Sequence, residues 1–287
     1  MQKIAQQFQL SYTAIEDVQD SHSSTVYKIT LRHGEEVYVK IPYTKMKFER
    51  ELEAYQLLKG RVATPKLLDC WQGDETCPGA FLLSSLKGAP LSVKTATPRT
   101  AYEVGKLHAS LHEVVFTEQM EAHAIQNEFE NWADFIGRQF YSFAEDAQKV
   151  LAKQTVEQAI AQFERMKREL PMPDGPSFVH MDFRPANIIV DGDNVSGVID
   201  FETVRFGATE VDFTKLNRDF LRFDVQLNAA YQEGYNSVRP LIDLNTVMPF
   251  YRFADAFNSI GWCVRRGIEG NRRFYEENYQ LLHQLLR

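Results

Sequence analysis

Several things are scarce in this 287-residue chain, and each shortage removes a class of function. No apolar run approaches the roughly eighteen residues of a membrane span, so no membrane partner is expected. The opening MQKIAQQFQL has neither the basic end nor the apolar stretch of a secretory leader. Cysteine is limited to Cys70, Cys77 and Cys263, an odd number whose spacing fits no metal-ligand pattern. Three reduced thiols in a cytoplasmic protein are the expectation. Positive charge is in deficit, 32 Lys+Arg against 39 Asp+Glu, which argues against a nucleic-acid partner because phosphate neutralisation needs a basic surface. No Gly-x4-Gly-Lys-[Ser/Thr] occurs, which excludes a Walker-type phosphate loop. Long disorder is argued against too, since 44% of residues are hydrophobic and 25% charged.

The chain reads as strands first and helices later. Thr25–Leu31 and Val37–Ile41 alternate in strand fashion around His33-Gly34, the pattern of a hairpin. After Pro42 the period changes, with Phe48, Leu52, Tyr55 and Leu58 forming a helical stripe that Gly60 ends. Phe81-Leu82-Leu83 looks like a short buried strand. Beyond the breaker cluster Lys87-Gly88-Ala89-Pro90, helices dominate, starting at Thr97-Pro98 with an N-cap and a first-turn proline. A charged amphipathic stretch is expected over 145–170. A second strand-rich passage runs from Phe178 to Phe201, with Asp191–Asn194 as its turn, and residues 210–287 are mostly helical and aromatic. The expected fold is α+β and bilobal: a small sheet-based lobe over 1–86 with one helix, and a larger, mostly helical lobe over 87–287.

The passage that carries chemistry is His180-Met-Asp-Phe-Arg-Pro-Ala-Asn187, followed by Val198-Ile-Asp-Phe-Glu202. It sets a carboxylate just after a strand, an amide five residues on, and a second carboxylate at the end of a hairpin. Phosphoryl transfer needs such a set, one carboxylate to orient and accept the proton of an attacking hydroxyl, and an amide oxygen with another carboxylate to hold Mg²⁺.

These residues resemble the catalytic loop and Ile-Asp motif of the aminoglycoside phosphotransferase/choline kinase family, which has a protein-kinase-like fold. The resemblance implies Asp182 as catalytic base, Arg184 near the transferring phosphate, and Asn187 and Asp200 as Mg²⁺ ligands. Met181 stands where the family has glycine. The first lobe carries the matching set: Lys40, on a strand, for the α/β-phosphates, and among three nearby glutamates Glu51, whose register matches the family's, to hold it. Ser23 and Ser24 take the place of the family's Ser-Asn phosphate-covering turn, in a 19–25 segment without glycine. Phe81–Leu86 would be the connector whose backbone pairs with adenine. ATP, or GTP in its place, and Mg²⁺ are the implied cofactors, and a small-molecule hydroxyl is the implied acceptor.

A protein kinase is disfavoured, because Asp200-Phe201 is followed by Glu202 in place of glycine and no Ala-Pro-Glu occurs. The alternative of another class is a non-catalytic nucleotide-binding or scaffold relative, against which the full set Lys40, Glu51, Asp182, Asn187 and Asp200 argues. Three other patterns have simpler readings. Asp191…Glu202 is a hairpin turn before it is a calcium loop. His108 and His112, spaced i, i+4, are packing histidines before they are zinc ligands. Phe250…Trp262 is a core helix before it is a cation box. Residues 1–86 hold 10 basic and 11 acidic side chains, leaving 22 and 28 to the rest. The later lobe is therefore the acidic one, and Glu202, Glu210, Asp212 and Asp255 are candidates to face an amine-bearing acceptor.

Overall fold

The computed structural model describes residues 2–18, 24–117 and 124–287. The chain opens with a short helix, α1 (Gln2–Gln7), and then builds strands β1 (Tyr12–Asp17), β2 (Ser24–Leu31) and β3 (Glu36–Pro42). Helix α2 (Lys45–Leu58) follows, then β4 (Leu67–Trp71) and β5 (Ala80–Ser84). These strands form one antiparallel sheet in the order β1-β2-β3-β5-β4. The expected hairpin is β2–β3, and its register sets Lys40 opposite Val26 on one side and Phe81 on the other. Lys40 thus sits on the central strand, where its backbone is fixed from both sides. Helix α2 begins where Thr44 accepts the Lys47 N–H, and ends before Gly60, which takes φ +76°. Its Phe48 stacks on Phe81 of the sheet at 4.6 Å, and its Tyr55 meets Phe201 of the second half at 5.5 Å.

The second half starts with the two-residue β6 (Ala89–Pro90) and α3 (Pro98–His112), whose first turn is closed by a reciprocal Thr97–Thr100 capping box. The amphipathic stretch expected over 145–170 is mostly one helix, preceded by the end of another. Trp132–Ala147 forms α4 and Lys153–Arg168 forms α5, the break falling at 148–152 without a glycine or proline to announce it. Strand β7 (Ser177–Val179) leads into the motif, and the hairpin β8 (Ile188–Asp191) and β9 (Asn194–Val198) turns at Asp191–Asn194 as expected. β10 (Arg205–Gly207) pairs back onto β7. Helices α6 (Asp212–Asp219), α7 (Val225–Asn236), α8 (Leu244–Arg266) and α9 (Arg272–Leu285) complete the chain.

Two glycines decide how α3 and α7 meet. A Cβ on Gly105 would lie 2.1 Å from the Tyr231 carbonyl oxygen, and one on Gly234 would lie 2.0 Å from the Tyr102 carbonyl oxygen. Only glycine lets the backbones approach so closely. That approach presses Tyr231 and Tyr235 against His108 and His112. No helix among the described residues is long and apolar enough to cross a membrane.

Candidate active site

The two halves enclose a cavity of about 1120 Å³. Lys40 and Ser24 line it from the sheet, Leu83, Ser84 and Leu86 from the connecting segment, and Asp182, Arg184, Asn187 and Asp200 from the second half. Ser24 is buried at the start of β2. Ser23 lies outside the described residues.

Lys40 reaches two carboxylates at once. Its Nζ is 2.9 Å from Glu51 and 2.6 Å from Asp200 Oδ1, a residue 160 positions away. Glu51 is fully buried, and the Tyr55 hydroxyl also donates to it at 3.4 Å. Burial pushes the Glu51 carboxyl up to about 7, against the pull of Lys40. Burial also opposes the Lys40 charge, but Asp200 and Glu51 together outweigh it and hold the ammonium well above its ordinary value. For Asp200 the same balance leaves the carboxyl low, since Lys40 overcomes desolvation.

Asp182 is held from three sides. Asn187 Nδ2 donates to its Oδ2 at 3.0 Å and to its carbonyl at 2.9 Å. Arg184 Nε lies 3.2 Å from Oδ2, and Lys215 Nζ donates to Oδ1 at 2.6 Å. Burial works against its charge, yet Lys215 first and Arg184 second keep the carboxyl below the usual range, so it is ionised at neutral pH. Asn187 spends its amide nitrogen on Asp182, which leaves its oxygen for a cation. Asp200 has its second carboxylate oxygen beyond the one on Lys40. A pair of hard oxygen donors facing one cleft fits Mg²⁺.

The loop that presents Asp182 is anchored from beneath. Met181 takes φ +66°, and its N–H donates to Asp212 Oδ1 at 2.7 Å while the His180 N–H donates to Oδ2 at 2.5 Å. Asp212 also faces His112 Nε2 at 3.4 Å. The Nδ1 atoms of His108 and His112 take the hydroxyls of Tyr231 and Tyr235 at 2.6 and 2.8 Å. Burial drives His108 down to about 3 and lowers His112, so both rings are neutral. Although the two histidines and Asp212 stand close enough to share a metal ion, both oxygens of Asp212 already accept backbone N–H groups. The trio supports the loop, in line with the expectation that these histidines pack.

Three of the four acidic residues offered as amine-facing need correction or refinement. Glu210 and Asp212 are buried and are not among the residues lining the cavity. Glu202 lines it but pairs with Lys47 at 3.1 Å, and its carbonyl accepts from Arg50 at 2.9 Å. These two contacts tie α2 to the segment after Asp200. Asp255 does line the cavity, bound to Arg218 at 2.8 Å. In the aromatic passage, Phe250, Phe253 and Phe257 are core residues as expected, while Tyr251 and Trp262 reach the cavity. Lys215 and the anchoring role of Asp212 had no sequence signal, because both act across more than thirty residues through α6.

Comparison with known proteins decides the family. The model of the phosphotransferase enzyme family matches residues 14–253. The chain belongs to that family. It is a kinase-type phosphotransferase that acts on a hydroxyl group of a small molecule. It is 24% identical over 245 residues to the homoserine kinase of Neisseria meningitidis serogroup B, covering 80% of this chain and 75% of that protein. An aminoglycoside phosphotransferase, APH(2")-IIia, solved with GDP and kanamycin, superposes with a TM-score of 0.75 at 15% identity, covering 98% of this chain and 96% of the other. The macrolide 2'-phosphotransferase MphH of Brachybacterium faecium, solved as apoenzyme, gives 0.68 at 15% identity over 96% and 94%. A thermostable mutant of aminoglycoside phosphotransferase APH(4)-Ia, in a ternary complex with AMP-PNP and hygromycin B, gives 0.72 at 16% identity over 100% and 97%. At these identities the structures establish the bilobal, protein-kinase-like fold of this phosphotransferase.

Proposed function

We propose that this phosphotransferase moves the γ-phosphoryl group of ATP, or of GTP in its place, to a hydroxyl of a small molecule in the cleft between a nucleotide-binding lobe, residues 1–86, and an acceptor-binding lobe, residues 87–287. The observation that carries the proposal is the convergence of Lys40, Asp182, Asn187 and Asp200 on one cavity from segments far apart in sequence. In this reading Lys40, steadied by Glu51, binds the α/β-phosphates, and Ser23 and Ser24 cover them. Asn187 and Asp200 hold Mg²⁺, which when bound neutralises charge on the phosphates. Arg184 faces the transferring group. Asp182 accepts a hydrogen bond from the acceptor hydroxyl and orients it for in-line attack. Its low proton affinity suits positioning and late proton acceptance over early deprotonation, as a loose, largely dissociative transition state requires. The free thiols of Cys70, Cys77 and Cys263 accord with the cytoplasm as the compartment.

The acceptor has a hydroxyl and, given the acidic second half, an amine fits it as well. The test is ATP turnover by the purified chain on hydroxylated amines, amino acids and sugars, with Asp182→Asn as control. A phosphorylated product that the variant fails to make supports the proposal. Absence of turnover on every acceptor, together with no stabilisation by Mg·ATP, would favour a scaffold protein instead.

A further inference from the structure

The charges around the acceptor end of the cavity fall into two groups of opposite sign. Beside the reacting position, Asp182 shares two cations, Lys215 at 2.6 Å and Arg184 at 3.2 Å, which leaves that trio one positive charge in excess. The second trio is Arg218 with Asp219 and Asp255, joined by contacts of 2.7, 2.8 and 2.8 Å, and it is one negative charge in excess. All six side chains line the same cavity. Lys215 and Arg218 stand three residues apart on α6, hence on one face with about 5–6 Å between Cβ atoms. Among these six side chains the excess is positive next to Asp182 and negative one helical turn away, with Arg266 about three turns beyond Asp255 on the α8 wall.

We infer that the acceptor carries a carboxylate close to its hydroxyl, with an ammonium group on the same small head, and that Lys215 is the residue that selects it. This deepens, and rests on, the phosphotransferase reading above. A carboxylate placed beside Asp182 meets the Lys215 ammonium when the acceptor hydroxyl takes a share of the Asp182 oxygen that Lys215 holds. An ammonium one or two bonds away falls towards Asp219 and Asp255, whose combined charge exceeds that of Arg218. Phe135, Ile136, Trp262 and Phe274 wall the same space and suit a carbon skeleton. A polycation fits poorly. Its reacting hydroxyl would have to approach Asp182 past Lys215 and Arg184, and the second trio offers a single net negative charge to several ammonium groups. Selection thus has an attractive and a repulsive component at one residue. Lys215 is within reach of the acceptor and is only a third exposed, so its charge is partly shielded from solvent.

The experiment is steady-state kinetics with Mg·ATP on a matched panel: serine, threonine and homoserine, their carboxamides, the corresponding amino alcohols, and kanamycin. At least one hydroxy amino acid is expected to be phosphorylated with a KM about tenfold or more below that of its carboxamide. Lys215→Met slows every acceptor to the extent that it disturbs Asp182, and should in addition raise the KM for the acid about tenfold relative to that for its carboxamide, while Lys215→Arg should keep the preference for the acid. Equal or better use of carboxamides, amino alcohols or kanamycin overturns the inference and leaves the phosphotransferase reading intact. A Lys215→Met variant that lowers kcat equally on acid and amide, with KM unmoved, also overturns it, because Lys215 would then act only through Asp182. No turnover on any member of this panel by a chain that Mg·ATP stabilises overturns the inference, while the phosphotransferase reading is decided on the broader acceptors above.

Discussion

Met181 turns its backbone into the left-handed region and so brings its N–H to 2.7 Å from Asp212. A non-glycine residue there is strained by roughly 1–2 kcal/mol, and the hydrogen bond to a buried carboxylate holds it. The usual stability order of alanine over glycine should reverse at this position. Met181→Gly is expected to be more stable than Met181→Ala by about 1 kcal/mol in urea denaturation. If alanine proves the more stable of the two, the left-handed turn is not retained in solution.

Asp182→Asn keeps the shape of the side chain and removes its charge. Turnover is expected to fall by at least about 100-fold, because positioning and proton acceptance are both lost. Nucleotide affinity, read by thermal shift with Mg·ATP, should change little if Asp182 serves the acceptor as proposed. A variant that keeps a tenth of the wild-type rate would remove Asp182 from the chemistry.

Lys40→Met strands Glu51 in the interior with only the Tyr55 hydroxyl at hand. Breaking a buried ion pair on one side destabilises by about 3–5 kcal/mol, and the loss should sit at the lower end because Glu51 can take up a proton. Adding Glu51→Gln should restore a substantial part of that loss. The single variant should also recover as the pH is lowered from 8 to 5. Equal stability of the single and double variants at pH 8 would show that Glu51 carries no charge once Lys40 is removed.

Glu210 gives a pH signature away from the cleft. Burial raises its carboxyl from an ordinary 4.5 to about 7, its Oε1 accepts the Asp174 N–H, and its Oε2 is buried without a partner. The folded state holds this proton where the unfolded state has lost it, so stability falls as pH rises from 4.5 to 7 and levels off above. The full effect is up to about 3 kcal/mol. Glu210→Gln keeps the acceptor oxygen and lacks the ionisation. It should match the wild type near pH 4.5 and exceed it at pH 8, as followed by Tm against pH.

What could be read from the sequence was whatever is written locally. The hairpin around Gly34, the Thr97-Pro98 helix start and the spacing from His180 to Asp200 are short-range patterns, and each lies where expected. Lys40 and Glu51 are only eleven residues apart, close enough for strand and helix register to bring them together. The extended stretch after Thr64-Pro65 contains β4, whose bounds carry no sharp pattern because most of it is exposed or half-buried and its pairing with β5 slips register between Leu67 and Asp69. The break between α4 and α5 carries no turn residue. The acidic side chains were the hardest to place, since composition assigns charge to a lobe and not to a direction. Glu210 and Asp212 turn inwards, and Lys215 meets the Asp182 loop from a separate helix, α6.

The bridge from Lys40 to Asp200 has a further consequence. The ammonium occupies one oxygen of the carboxylate that a divalent cation would claim, so the chain supplies its own counter-ion to the metal position. In the proposed reading, Lys40 would turn from Asp200 to a phosphate and Asp200 would be freed to hold Mg²⁺. The salt link between Lys40 and Asp200 is what joins the two halves of the cleft before any such exchange.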